Sequence, residues 1–263
     1  MRRCRTLLTG ALLLCAIGCA RMNANRDVVY MTSTIHALVV GLFDGETTFG
    51  ELKRHGDLGL GAVDAVAGEL ILADGKCYSA RADGSVVVLD DSQKSPYALA
   101  TWFDPDRVLE INDETDFDQL KKRLDAEFPN ANLPYAFRIE GTFSYIRARS
   151  LPPASKPYPR LLEAVKTQRQ FEFQNTSGLL IGFRMPDHLD SVGVPGYHFH
   201  FLSADRKGGG HLMAFRSNRL RVAGDLSPEI HLVLPQGEAF SKVDLTRRDP
   251  NEINQIMGRT GPK

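Results

Sequence analysis

The sequence predicts an α+β fold in two parts, a mixed α/β part followed by an antiparallel, β-barrel-like part. Helical and strand patterns alternate before residue 150, whereas short β-rich runs broken by glycine, proline and charged residues dominate after it. The chain has 263 residues, of which 43% are hydrophobic, so a large core is available. We therefore assign residues 28–150 to an N-terminal α+β part and residues 151–263 to a C-terminal β-rich part.

Residues 1–18 have the pattern of a lipoprotein-type signal peptide. The basic start MRRCR precedes an apolar run, TLLTGALLLCAIGC, that is too short to span a bilayer comfortably. The small residues before Cys19 resemble a bacterial lipoprotein box. We expect cleavage before Cys19, a linker over residues 19–27, and an exported cell-envelope protein that its lipid alone holds to the membrane. An ordinary cleaved signal peptide and an uncleaved anchor are the alternatives.

Cysteine usage and charge exclude several kinds of site and partner. Cys4 and Cys15 would leave with the signal peptide and Cys19 would carry lipid, so Cys77 is the thiol expected in the mature fold. This predicts neither an internal disulfide nor a thiolate metal site. Lys+Arg and Asp+Glu both number 32, a balance that does not favour nucleic acid or an anionic membrane surface as a partner.

The N-terminal part begins with two predicted helices and continues with strands. Residues 28–45, VVYMTSTIHALVVGLFDG, have the pattern of one apolar helix that ends in a turn. Residues 47–56 predict a short amphipathic helix that Gly56 terminates. Residues 68–91 hold two Ala-Asp-Gly turns between β-rich runs, which predicts a three-stranded meander, and residues 97–103 predict a further strand.

Two more helices and a set of short strands are predicted further along. Residues 113–129 place apolar side chains on one helical face, with Thr115 and Asp118 as the expected capping pair. Residues 156–171 predict a second helix, opened by proline. An antiparallel meander or small barrel follows, made of the runs QFEFQN, GLLIGFRMP, GYHFHFLS, HLMAFRS, LRVAGDL and EIHLVLP.

The strand over residues 135–150, YAFRIEGTFSYIRARS, ends in two arginines. Alternation predicts one apolar face that carries Tyr135, Phe137, Ile139, Phe143 and Tyr145. The same parity places Arg147 and Arg149 on that side. Either the strand ends there and both arginines reach solvent, or they need a partner or a solvated cleft, because an unpaired buried charge is costly.

The segment GYHFHFLSADRKGGGH, residues 196–211, holds three of the seven histidines. In a strand His198 and His200 share a face, while the aromatic residues between them point to the other. The glycine run can reverse the chain and return His211 opposite that pair. Three converging neutral imidazoles form the protein ligands of a catalytic zinc site with an open position. The metal site would then lie between the two parts.

Two other interpretations of the histidines remain open. One is a hairpin whose histidines simply face solvent. The other is a cupin-type iron oxygenase, since cupins also carry a His-x-His strand. Cupins usually follow that strand with a glutamate, whereas this chain has Ser203, Ala204 and Asp205 there.

Several stretches together resemble the bacterial α-acetolactate decarboxylases. They are LKRHGDLGLG, GELILADGKCY, GTFSYIRARSLPPASKPYPRL, FEFQNTSGLLIGFRMP, GYHFHFLSADRKGGGH and HLVLP. The likeness covers about residues 28–257, in the family's order. The combination is specific, although each piece alone would not be.

The resemblance implies a metal, a set of site residues and a reaction. It implies that Zn²⁺ is bound by His198, His200 and His211, and that Arg149 and Glu69 lie near the metal as catalytic residues. The implied reaction converts 2-acetolactate, a small 2-hydroxy-3-keto acid, to acetoin and CO₂. No organic cofactor is needed for this, and the sequence shows no phosphate loop or dinucleotide fingerprint.

The sequence departs from the family pattern at two positions. Ala62 stands where the family usually has threonine, and Met257 stands where it usually has a glutamate near the metal, with Glu252 the acid closest by in the tail. These departures keep a second hypothesis open, an envelope protein that binds metal but has impaired catalysis. The sequence leaves open the true substrate, the stereochemistry, which membrane would hold the lipid, and whether the chain is a monomer or a homodimer.

Overall fold

The computed structural model describes residues 26–246, 249 and 251–259. The predicted signal peptide and Cys19 lie outside these described residues. Within them, Cys77 is buried and carries a free thiol. No helix in the described ranges has both the length and the apolar character needed to cross a bilayer.

The described residues form short helices and strands of very different lengths. The strands are β1 (Val28–Thr32), β2 (Thr47–Thr48), β3 (Leu58–Ala62), β4 (Glu69–Ala73), β5 (Lys76–Ala80), β6 (Val86–Val88), β7 (Lys94–Ser95), β8 (Tyr97–Thr101), β9 (Arg107–Ile111), β10 (Thr115–Asp116), β11 (Tyr135–Ser150), β12 (Arg169–Met185), β13 (Gly196–Ser203), β14 (Gly209–Leu226) and β15 (Glu229–Val233). The helices are α1 (Ile35–Val39), α2 (Phe49–Leu52), α3 (Phe117–Glu127), α4 (Leu161–Val165), α5 (Glu238–Lys242) and α6 (Glu252–Ile256).

These strands form two large sheets and a small sheet of β2 and β7, which confirms the α+β class. The first sheet has the order β15-β1-β8-β3-β4-β5-β6. The second has the order β10-β14-β11-β12-β13, with β9 also paired to β14 and β13 paired again to the start of β14. The predicted boundary at residue 150 does not separate the sheets. The strand β11, before the boundary, pairs with β12 and β14 after it, and β15, after the boundary, pairs with β1 before it. The two predicted parts therefore share both sheets.

Three apolar clusters define the layers. The largest contains residues of both sheets together with α1, α4 and α6, so it fills the space between the sheets. The second cluster joins α3 to the outer face of the second sheet. The third joins α2 to the outer face of the first sheet. This layering leaves the inter-sheet space as the place where a site can be enclosed.

The prediction of one helix over residues 28–45 is wrong. The structure has β1 followed by the short α1, because Ser33 adopts a φ of 62° and Thr34 caps α1 by accepting a hydrogen bond from the Ala37 amide at 3.2 Å. The β-branched residues at the start pair with β8 and β15 instead. The short helix in residues 47–56, the three-stranded meander and the strand β8 are confirmed.

The helix α3 is confirmed but its predicted cap is wrong. Asp116 caps it: its carboxylate accepts a hydrogen bond from the Gln119 amide at 2.8 Å, and the Gln119 side chain accepts one from the Asp116 amide at 2.8 Å. Thr115 is buried in β10 instead. The first turn offers several acidic residues, so the choice among them depends on where the strand before the helix ends.

The predicted apolar face of β11 is correct only in its first half. Its register with β14 shifts at three places after Thr142, so Phe143 and Ile146 both reach the outer cluster although they are three residues apart. Tyr145 does not join that cluster, and its hydroxyl donates a hydrogen bond to Glu172 at 2.8 Å. Arg147 and Arg149 therefore lie on the face opposite to the apolar residues, towards the first sheet.

The C-terminal runs join into longer strands than predicted. QFEFQN and GLLIGFRMP are halves of the 17-residue β12, and HLMAFRS and LRVAGDL are halves of the 18-residue β14. Their pairing with the long β11 holds them as continuous strands across the polar middle residues. The predicted second helix is shortened to α4.

Candidate functional site

Alternation along β13 directs two imidazoles into the inter-sheet space. Tyr197, Phe199 and Phe201 belong to the outer cluster with α3, as the spacing predicts. His198 and His200 therefore face the first sheet. His200 is buried and His198 is partly buried.

A glycine turn brings the third imidazole to the same place. Gly210 adopts a φ of 146°, and a Cβ there would lie 2.6 Å from the Arg149 carbonyl oxygen, so a side chain would collide with β11. The close approach sets the register in which His211 pairs with His200 on one side and with Arg149 on the other. His200, His211 and Arg149 thus form one row across β13, β14 and β11.

The three imidazoles converge at distances suited to a metal ion. The Nε2 atom of His198 lies 3.1 Å from Nε2 of His200 and 3.1 Å from Nδ1 of His211. One nitrogen of each ring lies within 4.8 Å of the others. A tetrahedral site with Zn–N bonds of about 2.0–2.1 Å places its nitrogens about 3.3–3.4 Å apart. The cluster therefore fits a divalent metal with only small movements of the rings.

The surroundings keep these imidazoles neutral, which is the form that binds metal. Burial lowers the pKa of His200 to about 4, and burial also lowers the pKa of His198 and of His211. The His200 Nδ1 atom lies 2.8 Å from the Leu70 carbonyl oxygen, to which its N–H can donate. That hydrogen bond selects the tautomer whose Nε2 lone pair faces the cluster.

Glu69 reaches the cluster from the opposite sheet. It begins β4, and its Oε2 atom lies 3.3 Å from Nε2 of His200. Burial raises the pKa of Glu69 to about 7, and the neighbouring Arg149 acts against that rise. A carboxyl with this pKa exchanges a proton readily near neutral pH.

Arg149 is buried beside the histidines and does not reach solvent. Only 6% of its surface is exposed. Its Nη1 donates to the Gln168 side-chain oxygen at 2.9 Å, and its Nη2 donates to the Ile256 carbonyl oxygen at 2.5 Å. These bonds fix the guanidinium plane and leave further N–H groups able to bind an anion. The interpretation that the strand simply ends in solvent is wrong for this arginine.

A cavity of about 60 Å³ adjoins this cluster. His198, His211, Glu69 and Arg149 contribute its polar wall. The helices contribute an aliphatic wall made of Ile35, Leu38, Leu161, Val165, Ile256 and Met257. Such a cavity suits a small molecule with a few oxygen atoms on one side and alkyl groups on the other.

The C-terminal tail closes one side of the cavity. The Arg160 guanidinium donates to both carboxylate oxygens of Glu252, at 3.1 and 2.6 Å. Arg259 donates to the carbonyl oxygens of Pro195 and Tyr197, at 2.6 Å each. These contacts hold both ends of α6, so that the residues between them lie against the site.

A larger open groove of about 480 Å³ lies on the second sheet and holds none of the three clustered histidines. Arginines and glutamates line it, and Arg221 pairs with Glu110 across 3.8 Å. These are exposed charges with partners on the same surface. The chemistry of the chain is therefore concentrated in the smaller inter-sheet cavity.

The structure brings together all five residues singled out in the sequence and adds others. Tyr97 lines the cavity, Gln168 orients Arg149, and Arg259 holds the tail. The alternation of β8 could have indicated that Tyr97 faces inward. Nothing in the local sequence marks Gln168 or Arg259, because their partners lie far away in the chain.

Comparison with known proteins assigns the chain to a family. The family model described as Alpha-acetolactate decarboxylase matches residues 29–247. The chain belongs to the alpha-acetolactate decarboxylase family. A relative of that name from Methanosarcina mazei is 36% identical over 234 residues, which cover 89% of this chain and 81% of that protein. Another from Methylococcus capsulatus is 38% identical over 227 residues, covering 86% and 87%.

A solved structure extends the likeness to the fold. The alpha-acetolactate decarboxylase from Bacillus subtilis strain 168 matches with a TM-score of 0.86 and 31% identity, covering 89% of this chain and all of that one. Membership of this family removes the reason for a cupin interpretation. Ala62 and Met257, the two positions at which the sequence is expected to depart from the family pattern, both line the cavity.

Proposed function

We propose that this chain converts 2-acetolactate to acetoin and CO₂ in a Zn²⁺-dependent reaction. The observation that carries the proposal is the convergence of three imidazole nitrogens beside Arg149 and Glu69 in one small cavity. Membership of the family supports the reaction. The spacing and neutral state of the imidazoles support zinc.

Each part of the site has a role in this reaction. His198, His200 and His211 would hold Zn²⁺, which when bound supplies a Lewis acid that makes loss of CO₂ from a β-keto acid easier. Arg149 binds the substrate carboxylate through charge-assisted hydrogen bonds. The Oε2 atom of Glu69 is placed to orient the substrate hydroxyl or to hold a proton. The aliphatic wall limits water at the reacting carbon.

The proposal is tested by acetoin formation and metal content together. Zinc-loaded wild-type protein should form acetoin from 2-acetolactate with about one zinc per chain. His200→Ala should lose most of its zinc and its activity, because one of three protein ligands is gone. His188→Ala, which removes an exposed imidazole, is the matched control and should keep both.

Two results would contradict the proposal. Full zinc in His200→Ala would show that the cluster is not the metal site. A zinc-loaded wild type without activity would favour the second candidate, a metal-binding protein with impaired catalysis, because the cavity wall carries an alanine and a methionine at the two departing positions. Export, lipid attachment at Cys19 and the choice between monomer and homodimer stay predictions.

A further inference from the structure

Tyr97 occupies an unusual position in the first sheet. Strand β8 pairs with β3 so that Tyr97 lies opposite Ala62, and β3 pairs with β4 so that Ala62 lies opposite Glu69. Paired residues share a face of a sheet, so these three form one row on the inter-sheet side. Since neighbouring strands are about 4.8 Å apart, Tyr97 lies about 10 Å from Glu69 across the alanine. The small residue in the middle leaves room above the row.

The Tyr97 hydroxyl is buried without a hydrogen-bond partner among the described residues. The side chain is 2% exposed, and it lies close enough to the backbone of Val194, another cavity residue, for that backbone to act against the effect of burial on the hydroxyl pKa. Burial raises the pKa of the hydroxyl, so it stays protonated and able to donate. Leaving a buried hydroxyl unpaired costs stability, so such a group in a native protein calls for a partner such as a water, an ion or a bound ligand.

The row of Tyr97, Ala62 and Glu69 in the first sheet faces the row of Arg149, His211 and His200 in the second sheet across the cavity. The two rows touch at one end, where Glu69 approaches His200. Two strands away the rows finish at Tyr97 in one sheet and at Arg149 in the other, and both residues line the cavity. A substrate whose hydroxyl and ketone oxygens face the histidines therefore extends its carboxylate towards this far end.

We infer that Tyr97 is a substrate-binding residue whose hydroxyl donates a hydrogen bond to the substrate carboxylate, beside Arg149. The inference rests on the proposed function, and it assigns to Tyr97 a role that the sequence did not suggest. The Arg149 guanidinium of the second sheet and the Tyr97 phenol of the first sheet would both donate hydrogen bonds to the carboxylate. Ala62, the neighbour of Tyr97 in the row, provides the space that the carboxylate needs.

The test is Tyr97→Phe, with turnover, binding and stability measured together. KM for 2-acetolactate should rise roughly tenfold while kcat changes less than twofold, because a contact made equally before and during the reaction affects binding alone. The affinity for 2,3-dihydroxy-2-methylbutanoate, an analogue that keeps the carboxylate but has no ketone, should fall by the same factor. Inhibition by acetoin, which lacks the carboxylate, should not change.

Stability separates this role from a structural one. Tyr97→Phe should unfold at the same temperature as the wild type or higher, because it removes an unpaired buried hydroxyl. Tyr30→Phe, which removes a hydroxyl from a buried tyrosine on the outer face of the same sheet, is the matched control and should leave KM unchanged.

The inference is overturned if Tyr97→Phe binds substrate and analogue as the wild type does. It is also overturned if the variant loses thermal stability together with affinity, or if its affinity for acetoin falls equally. A zinc-loaded wild type that forms no acetoin would contradict the proposed function, whereas the analogue comparison would still decide the role of Tyr97. An analogue that does not bind the wild type would overturn both.

Discussion

Arg149 shows how burial decides the chemistry of a single side chain. The interaction with Gln168 and with the Ile256 carbonyl satisfies part of the guanidinium, so the charge can stay inside the protein. Arg147, two residues earlier, has a buried Nε without a partner among the described residues and does not line the cavity. Two arginines on one strand face thus differ in their contacts because of their neighbours.

Replacing Arg149 with lysine tests the planar geometry of this contact. Arg149→Lys keeps the positive charge but loses the fork that binds two oxygens at once. We expect kcat/KM for 2-acetolactate to fall by roughly a hundredfold, as for the loss of one preorganised charged contact. Zinc content should stay at the wild-type value because the arginine is not a ligand.

The control for that variant is Arg147→Lys. It makes the same change on the same strand, away from the cavity, so kcat/KM should change little. Equal losses in the two variants would mean that the substitutions disturb β11 itself. A wild-type rate in zinc-loaded Arg149→Lys would remove Arg149 from the mechanism.

Residues whose position in the site follows from local spacing could be identified from the sequence. His198 and His200 share a face because strands repeat every two residues, and His211 returns after a glycine turn, so all three could be predicted. Alternation along β8 indicates only that Tyr97 faces inward, so the contacts that bring Tyr97 and Gln168 to the site could not be predicted. Those contacts are made with residues that are distant in the chain, and the local sequence pattern does not indicate which distant residues will lie nearby.

The element that most distinguishes this site is α6 with the residues after it. Two arginines hold it, Arg160 through Glu252 and Arg259 through backbone carbonyl groups at the start of β13 and just before it. The helix itself has five residues, too few to be stable alone in water. Its position therefore depends on these contacts and on its apolar packing against α1 and α4.

The tail also carries Met257, which provides a second test. Met257→Glu would place a carboxyl on the cavity wall next to the Ile256 carbonyl that Arg149 binds. We expect turnover to rise at least about tenfold. A well-placed proton donor or acceptor contributes roughly a hundredfold or more to the rate. Acetoin formation at saturating substrate is the measurement.

Met257→Gln separates charge from size in this test. The amide has nearly the same shape but cannot exchange a proton, so its turnover should stay close to that of the wild type. Equal turnover in the wild type and both variants would show that this chain has no use for a carboxyl at the tail position.

Elements whose pattern is local were predicted better than those set by pairing. The meander β4–β6 and the helix α3 follow from turn residues and from helical periodicity. The β-bulges that take Tyr145 off the apolar face depend on pairing with β14. The continuity of β12 and β14 depends on the length of β11 between them. No pattern within residues 135–150 contains that information.

At the scale of the whole molecule, the site exists because two sheets pack face to face. The first sheet contributes Glu69 and Tyr97, and the second contributes the histidines and Arg149. The chain crosses between the sheets on both sides of residue 150, so each sheet contains segments from both predicted parts. Bringing Glu69 and Tyr97 to the histidine cluster should therefore require the complete fold.

One buried carboxyl makes the stability of this fold depend on pH. Asp225, near the end of β14, is 1% exposed and accepts a hydrogen bond from the Asp104 amide at 3.2 Å. Burial, with smaller contributions from the neighbouring Asp106 and Asp27, raises its pKa from 3.8 to about 7. The folded protein therefore keeps a proton on Asp225 at pH values where the unfolded chain has lost it.

The sign of the effect follows from that difference. Between about pH 4 and pH 7 the folded state binds one proton more than the unfolded state, so the free energy of unfolding falls as pH rises. The slope is at most about 1.4 kcal/mol per pH unit for one group. Asp225→Asn stays neutral at every pH, so it should remove this slope and make the protein more stable than the wild type at pH 8.

Urea unfolding of the metal-free proteins between pH 5 and pH 8 measures this difference. The histidines and Glu69 also contribute to the pH dependence, but they are the same in both proteins, so subtracting one profile from the other isolates Asp225. Glu114→Gln, which removes an exposed carboxyl, is the control and should give a profile parallel to that of the wild type. If the profile of Asp225→Asn is also parallel, the carboxyl is ionised in the folded protein and the burial argument is wrong. A divergence that grows up to about pH 7 and then stays constant is the result that burial of one protonated aspartate requires.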